Sequence, residues 1–342
     1  MHFTKVLRQL STRPTRQLTS GTLPAASGII SLYSRRSFSS TTISRGSLEP
    51  QSVSPLAPIG VEAALRAKTD PNFVPKSKIF DEFKLTDRVG IVSGGARGLG
   101  LEMAMTLCEA GARAIYCLDI HKRPTEEWEA VRDFVAKLEH GPRLEYVNID
   151  VTEQKAVWDA VEKIGNREKR MDVCVAAAGV LKPEQDVLGY PAEEFAEVMG
   201  INVDGVLFTA QAAGRQMRRF GNKGSIVLIA SMSGSITNHG HAWVAYNTSK
   251  SAVLQMARSM ACELGAEGIR VNSLSPGHIY TKMTAQYLDT KPHLLDKWSS
   301  LNPLGRIGRT DEVRGVVAWL ASDASTFCTG SDILVSGGHH AW

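Results

Sequence analysis

Two hydrophobic periods alternate along residues 88–336. Short, nearly unbroken apolar runs that end at small or acidic residues give way to longer stretches whose apolar positions recur three and four apart. Arg88–Val92, Ala114–Asp119, Arg143–Val151, Met171–Gly179, Gly224–Ser231, Ile269–Leu274 and Asp332–Ser336 read as strands buried on both faces. Leu101–Ala110, Arg123–His140, Thr152–Lys169, Gly200–Phe220, a run from Tyr246 to about Gly265, and Thr310–Ser322 carry helical spacing. Strand and helix in regular alternation build one α/β domain, a doubly wound, mainly parallel seven-stranded sheet with helices on both faces. Ligands of such sheets bind at the carboxyl ends of the strands.

The first strand runs straight into Ser93-Gly-Gly-Ala-Arg-Gly-Leu-Gly100, and the helix follows at once. Strand, glycine turn and helix in that order suit a dinucleotide. Gly94, Gly98 and Gly100 let the backbone approach a pyrophosphate, and the helix N-terminus offers N–H groups to it. Asp119 closes the second strand 19 residues past Gly100, where a carboxylate meets the adenosine ribose hydroxyls and repels a 2′-phosphate. NAD is therefore favoured. NADP stays open, because Arg97 lies inside the loop and His121, Lys122 and Arg123 follow the aspartate. The domain is thus of the Rossmann type.

Tyr246 and Lys250 stand four apart on a helix, on one face. A lysine ammonium there is expected to lower the tyrosine pKa toward the working range, making the phenol a general acid and base for a carbonyl and its alcohol. Asn202 falls in the first turn of the 200–220 helix, and Ser231 and Ser233 close the fifth strand. His278, His241, Trp243 and Asn238 are candidates for contacts with substrate hydroxyls, or for packing.

Charge adds an address and removes two partner classes. Of the 39 basic residues seven fall before Leu48, where there is no acid, leaving 32 against 35 acidic residues in the rest of the chain. A nucleic-acid or membrane-surface reading of the basic pI loses its basis. Residues 1–38, rich in Ser and Thr with Arg8, Arg13 and Arg16 among apolar positions, read as a mitochondrial transit peptide. Arg35-Arg36 places cleavage near Phe38 to Ser40 and the protein in the matrix; a basic tail without an address is the alternative. Residues 39–84, proline-rich from 48, read as a linker, and the domain as 85–342. No run approaches the ~20 apolar residues of a membrane span. Five scattered cysteines and nine histidines show no metal or disulfide spacing, so no metal is expected.

Taken together, these motifs resemble a short-chain dehydrogenase/reductase from about Phe83 to Trp342. The resemblance rests on Ser93 to Gly100, Asn202, Ser231, Tyr246-x-x-x-Lys250 and Pro276-Gly277. It implies a catalytic set of Tyr246, Lys250, Ser231 and Asn202, with Ser233 as the alternative serine and Asn202 positioning a water. It also implies an NAD site made by Ser93, Gly94, Arg97, Gly98, Leu99, Gly100, Asp119, Asp150, Val151, Ala178, Gly179, Tyr246, Lys250, Pro276, Gly277, Ile279 and Thr281, with a substrate lid over residues 280–302. Two departures touch the scaffold: Ala176-Ala-Ala-Gly179 replaces the family's Asn-Asn-Ala-Gly, and Ser336 replaces an acid. Ser-Met-Ser-Gly234, Tyr-Asn-x-Ser-Lys250 and the terminal Gly-Gly-His-His-Ala-Trp342 are similar to fungal polyol and ketose dehydrogenases of the arabinitol and sorbose type. The resemblance therefore implies hydride transfer between NAD and a polyol/ketose pair. An NADP-dependent reductase of a hydrophobic, acyl-thioester or secondary-metabolite carbonyl, and a non-catalytic nucleotide-binding scaffold, are the rivals. The apolar faces of helices 200–220 and 246–265 imply a homotetramer or dimer.

Overall fold

The computed structural model describes residues 56–342; the reading of 1–38 as a leader, and of 39–55 as linker, lies outside the described residues. Within the remaining linker stretch Gly60–Thr69 forms a helix, α1, none of whose residues is buried. Glu62 in its first turn and Arg66 and Lys68 in its last complement the helix dipole, which local charge alone can do between prolines.

Seven strands form one parallel sheet in the order β3-β2-β1-β4-β5-β6-β9, the doubly wound arrangement expected. They are β1 (Val89–Ser93), β2 (Ala114–Asp119), β3 (Arg143–Asn148), β4 (Val173–Ala176), β5 (Ser225–Ile229), β6 (Arg270–Pro276) and β9 (Asp332–Val335). Alternate residues feed two separate cores. Ile91, Cys174, Ile226 and Leu228 face α4 (Gln154–Glu168), α6 (Gly205–Phe220) and α7 (Val244–Leu264), through Val157, Val161, Ala210, Met217 and Val253. Val92, Val173, Val227 and Ile229 face α2 (Gly98–Glu109), α3 (Glu126–Val135) and α10 (Arg314–Ala321), through Leu107, Trp128 and Leu320. Burial on both faces is why these strands read as continuous apolar runs. Several are shorter than the runs, because the small residues beyond Ala176 and Ile229 leave the ladder to form the site.

One helix departs from expectation. The 200–220 helix is the second part of a longer one that begins as α5 (Ala192–Met199), after Pro191, and passes through a π-helical turn at Gly200–Asp204. Asn202 therefore lies within that turn and not at a helix start. Gly205 N–H bonds the carbonyl of Gly200, five residues back, and such π turns commonly mark functional positions.

Past β6, the short pair β7 (Ile279–Tyr280) and β8 (Gly308–Arg309) brackets α8 (Lys282–Thr290) and α9 (His293–Ser300). These two helices occupy the span read as a lid. At the opposite edge of the sheet, Glu168 is nearly buried, and its carboxylate accepts from Tyr116 at 2.5 Å, Arg143 at 2.6 Å and Arg113 at 3.2 Å. Among the described residues there is no cluster of three or more metal-ligating side chains, and no helix is long and apolar enough to cross a membrane.

Candidate active site

The carboxyl ends of β1, β4, β5 and β6 converge on one locus, and the glycine loop is built against it. Gly94 has φ +67°, and a Cβ there would sit 2.9 Å from Ala178 Cα; one at Gly100 would sit 2.1 Å from the Gly94 carbonyl oxygen. Only glycine lets the loop fold this tightly. Gly98 also has positive φ, yet a Cβ there would meet nothing within 4 Å, which leaves open space in front of the helix. No side chain caps the α2 N-terminus, so its first N–H groups point into that space. Open space, uncapped amides and a helix dipole fit a pyrophosphate.

The Ala96 peptide pins the loop from both sides. Its N–H donates to Asp119 Oδ2 at 3.0 Å, and its carbonyl accepts from Thr125 Oγ1 at 2.7 Å. Asp119 is thus nearly buried, with one carboxylate oxygen on the loop and its other 3.9 Å from His121 Nε2. Thr125 escapes sequence reading because its hydroxyl also caps α3, an ordinary task for threonine. Arg97 is exposed at the head of α2 and Leu99 is half-buried behind it.

Ser93 is fully buried, and its hydroxyl accepts from the amides of Ala177 (3.1 Å) and Ala178 (3.3 Å). That contact ties the end of β1 to the end of β4, where Ala176-Ala-Ala178 has no side chain to do so. Gly179 follows close to the catalytic candidates: a Cβ there would lie 3.2 Å from Asn202 Oδ1 and 3.5 Å from Lys250 Nζ. Asn202 is wholly buried and holds this strand end in both directions. Its Oδ1 accepts from Val180 N–H at 2.8 Å, and its Nδ2 donates to the Val180 carbonyl and to Ser249 Oγ, both at 3.0 Å.

Lys250 lies 5.7 Å from the centre of the Tyr246 ring, and its Nζ donates to the Ile229 carbonyl at 2.9 Å. Burial pulls the Lys250 ammonium down to about 8. The Tyr246 phenol behaves otherwise than expected. Burial pushes it above its ordinary value, and the hydrogen bond with Ser231 only partly offsets that. The physical reason is that a phenolate without solvent costs more than one serine returns, while the lysine head is turned to a backbone carbonyl. Of the two serines, Ser231 is the one beside the phenol; Ser233 sits in the following turn with its N–H on Ser231 Oγ at 3.1 Å.

The remaining predicted positions lie nearby with structural partners of their own. Asp150 Oδ1 accepts from the N–H and hydroxyl of Thr152, and Val151 packs on Gly205, where a Cβ would come within 2.7 Å. At Gly277 a Cβ would come within 2.6 Å of Ser336 Cα, so the Pro276-Gly277 turn needs its glycine for β9 to pass. The Ile279 carbonyl accepts from Thr284 Oγ1, and the Thr281 hydroxyl caps α8.

Facing Tyr246 is a small aromatic core of Trp243, Leu288, Leu294 and Trp298, against which the tyrosine itself packs. His278 stacks on Trp298 and His241 on Trp243, each at 4.1 Å between ring centres. Burial holds both imidazoles below their ordinary pKa, His278 at about 3. They are neutral hydrogen-bonding groups at physiological pH. Asn238, almost fully buried, has neither amide atom hydrogen-bonded.

Residues 94–340 match the family profile described as "Enoyl-(Acyl carrier protein) reductase". The chain is 38% identical over 276 residues to "Short chain dehydrogenases/reductase notP'" of Aspergillus versicolor, covering 78% of this chain and 92% of the relative. It is 37% identical over 261 residues to "Sorbose reductase sou1" of Schizosaccharomyces pombe, covering 75% and 97%. Among solved structures, the NADPH-dependent 3-quinuclidinone reductase of Rhodotorula rubra superposes with a TM-score of 0.70 at 30% identity, over 79% of this chain and 97% of that one. The matched span contains the glycine loop, Asn202, Ser231, Tyr246 and Lys250, and the chain belongs to the short-chain dehydrogenase/reductase family of oxidoreductases.

Proposed function

We propose that the protein interconverts a polyol and its ketose with NAD, with Tyr246 as the general acid and base. The assembly of Tyr246, Ser231, Lys250 and Asn202 at the adjacent ends of β4 and β5 carries this reading. When bound, the dinucleotide supplies the hydride donor or acceptor. The chain's own residues do the rest. Ser231 donates to the substrate oxygen and orients it toward Tyr246. Tyr246 takes the hydroxyl proton during oxidation and returns it during reduction. Lys250, whose Nζ lies beside Gly179, would hold the nicotinamide ribose, and Asn202 fixes the β4 end on which that contact depends.

The polyol assignment is supported by the likeness to a sorbose reductase and by the neutral His278 imidazole, stacked on Trp298 of the core that Tyr246 packs against. His278 and Asn238 offer hydroxyls donors and acceptors without a charge, whereas both ring nitrogens of His241 are taken by Glu184 and Trp298. The test is turnover of arabinitol, sorbitol, mannitol, xylitol and hydrophobic secondary alcohols with each dinucleotide. Activity confined to hydrophobic alcohols would remove the polyol reading and leave the chemistry standing. The matrix location and a dimer or tetramer built on the outer faces of α6 and α7 belong to the same proposal, checked by import assay and by light scattering.

NAD is preferred on account of Asp119, whose carboxylate would face a 2′-phosphate at close range; like charges so placed cost several kcal/mol. Arg97 and the NADPH-dependent relative are the case for NADP. Asp119→Ser is expected to move the NAD:NADP ratio of kcat/KM toward NADP by roughly 100-fold, with some loss for both because Ala96 N–H loses its acceptor. An unchanged ratio would show that Asp119 does not read the ribose.

The pH dependence has a definite sign. Oxidation needs Tyr246 deprotonated before it can accept a proton, and burial raises that pKa. Oxidation should therefore climb with pH across the alkaline range, from about pH 7 to 10 and beyond, while reduction, which uses the protonated phenol, stays level over that range and falls only as the pH passes the raised value. A flat kcat/KM profile for oxidation across that span would exclude Tyr246 as the titrating base.

A further inference from the structure

We propose that Glu184 is a positioning residue that latches the lid helices α8 and α9 over Tyr246 by holding His241 in the one tautomer that can accept from Trp298. Glu184 lies in the loop after β4, outside every motif of the family pattern described above. The inference rests on the reading that an alcohol or ketone binds beside Tyr246.

Three elements distant in sequence meet at this carboxylate. Glu184 Oε1 lies 2.6 Å from His241 Nδ1, and its Oε2 accepts from Lys291 Nζ, between α8 and α9, at 2.8 Å. His241 Nε2 receives the indole N–H of Trp298, in α9, at 3.1 Å. An indole nitrogen only donates, so Nε2 must be the acceptor and Nδ1 must carry the proton toward Glu184. The imidazole side chain is 4% exposed, which leaves little room for it to turn and find another arrangement.

The two halves of the latch differ in weight. Lys291 is 42% exposed, and an ion pair so hydrated adds little. The buried chain Glu184–His241–Trp298 carries most of it. Trp298 also stacks on His278 and belongs to the aromatic core that touches Tyr246, so its position sets the wall facing the substrate. Without Glu184, His241 is free to place its proton on Nε2, where it meets the Trp298 N–H donor to donor. The latch opens from the lid side and leaves the Tyr246, Ser231 and Lys250 contacts as they are.

Three variants separate the parts. Glu184→Gln keeps an oxygen for the His241 N–H and loses only the ion pair; its KM for the alcohol should rise no more than about three-fold. Glu184→Ala should raise that KM by about ten-fold or more, with kcat and dinucleotide affinity within about three-fold of the parent. Trp298→Phe keeps the ring and removes the donor, and the double variant should be no worse than the worse single one, since both break one chain. A substrate-independent readout accompanies the kinetics: trypsin should cut after Lys297 several-fold faster in Glu184→Ala and Trp298→Phe than in the parent or Glu184→Gln. Lys291 is followed by Pro292 and gives no competing cut. Unchanged KM and unchanged cleavage in Glu184→Ala would overturn the latch, as would additive effects in the double variant, or a parallel loss of dinucleotide binding and thermal stability. Coupled, faster cleavage in a protein that turns over no polyol would sustain the latch and sink the substrate class.

Discussion

Tyr246→Phe is expected to lower kcat by about 10²–10⁴-fold, some 3–6 kcal/mol of transition-state stabilisation, while dinucleotide affinity stays within about three-fold. The substitution deletes one oxygen and little else. The ring keeps its place against Trp243, Leu288 and Trp298, and Lys250 keeps its bond to the Ile229 carbonyl. What disappears is the group that exchanges a proton with the substrate oxygen and its hydrogen bond with Ser231. The loss should fall on kcat, because the proton moves only as the transition state forms. Single-turnover rates with dinucleotide affinity measured by nicotinamide fluorescence separate the two quantities. Activity within ten-fold of the parent would mean that a different group handles the proton, and the mechanism would need a new acid.

Glu168→Ala should cost about 2–4 kcal/mol of stability and lower Tm by roughly 5–10 °C, with no direct effect on chemistry at the far edge of the sheet. Its side chain is 4% exposed, and it gathers Arg113, Arg143 and the Tyr116 hydroxyl, joining β2, β3 and α4 at their ends. Burial alone would raise this carboxyl, but the hydrogen bonds from Arg143 and Tyr116 outweigh it and hold its pKa below the ordinary value. The sign follows: the contribution is complete above the unfolded carboxyl pKa and is lost as pH falls through the lowered one. The arginines are more than a third exposed and can rehydrate, which keeps the cost below that of stranding a fully buried ion. Thermal unfolding at neutral pH, and again near pH 3, checks it: the difference between parent and variant should shrink in acid. An equal difference at both values would show that packing, and not charge, is what Glu168 contributes.

The architecture was legible because its causes are local. Strands buried on both faces must be apolar throughout, and helices on a sheet must be apolar every third or fourth residue; both periods can be read without knowing what lies opposite. The glycine loop was legible for a similar reason, since positive φ at Gly94 and Gly98 demands that residue type. Tyr246 and Lys250 met as expected because one helical turn links them. The same local reasoning misjudged the tyrosine's protonation, which depends on how much water reaches the phenol and on where the lysine head turns; neither is set by the spacing of the two residues.

Other features depend on long-range neighbours. Asn202 lies within a π turn because α5 and α6 continue into each other, and its amide works by pairing with Val180, 22 positions away. Ser93 substitutes for the missing asparagine side chains only because β4 lies beside β1, 84 positions on. Ser231 was separated from Ser233 by which of them the phenol meets, and the role proposed for Glu184 rests on His241, 57 residues later, lying against it. By itself the sequence determined the sheet, the dinucleotide loop and the tyrosine-lysine pair, all set by contacts within one turn, one strand or one loop. The tertiary structure alone decided the helix that carries Asn202, the ties between strand ends, the protonation of the site and the contacts that join Glu184 to α9. Those rest on contacts and desolvation between segments whose separation along the chain leaves no periodic trace.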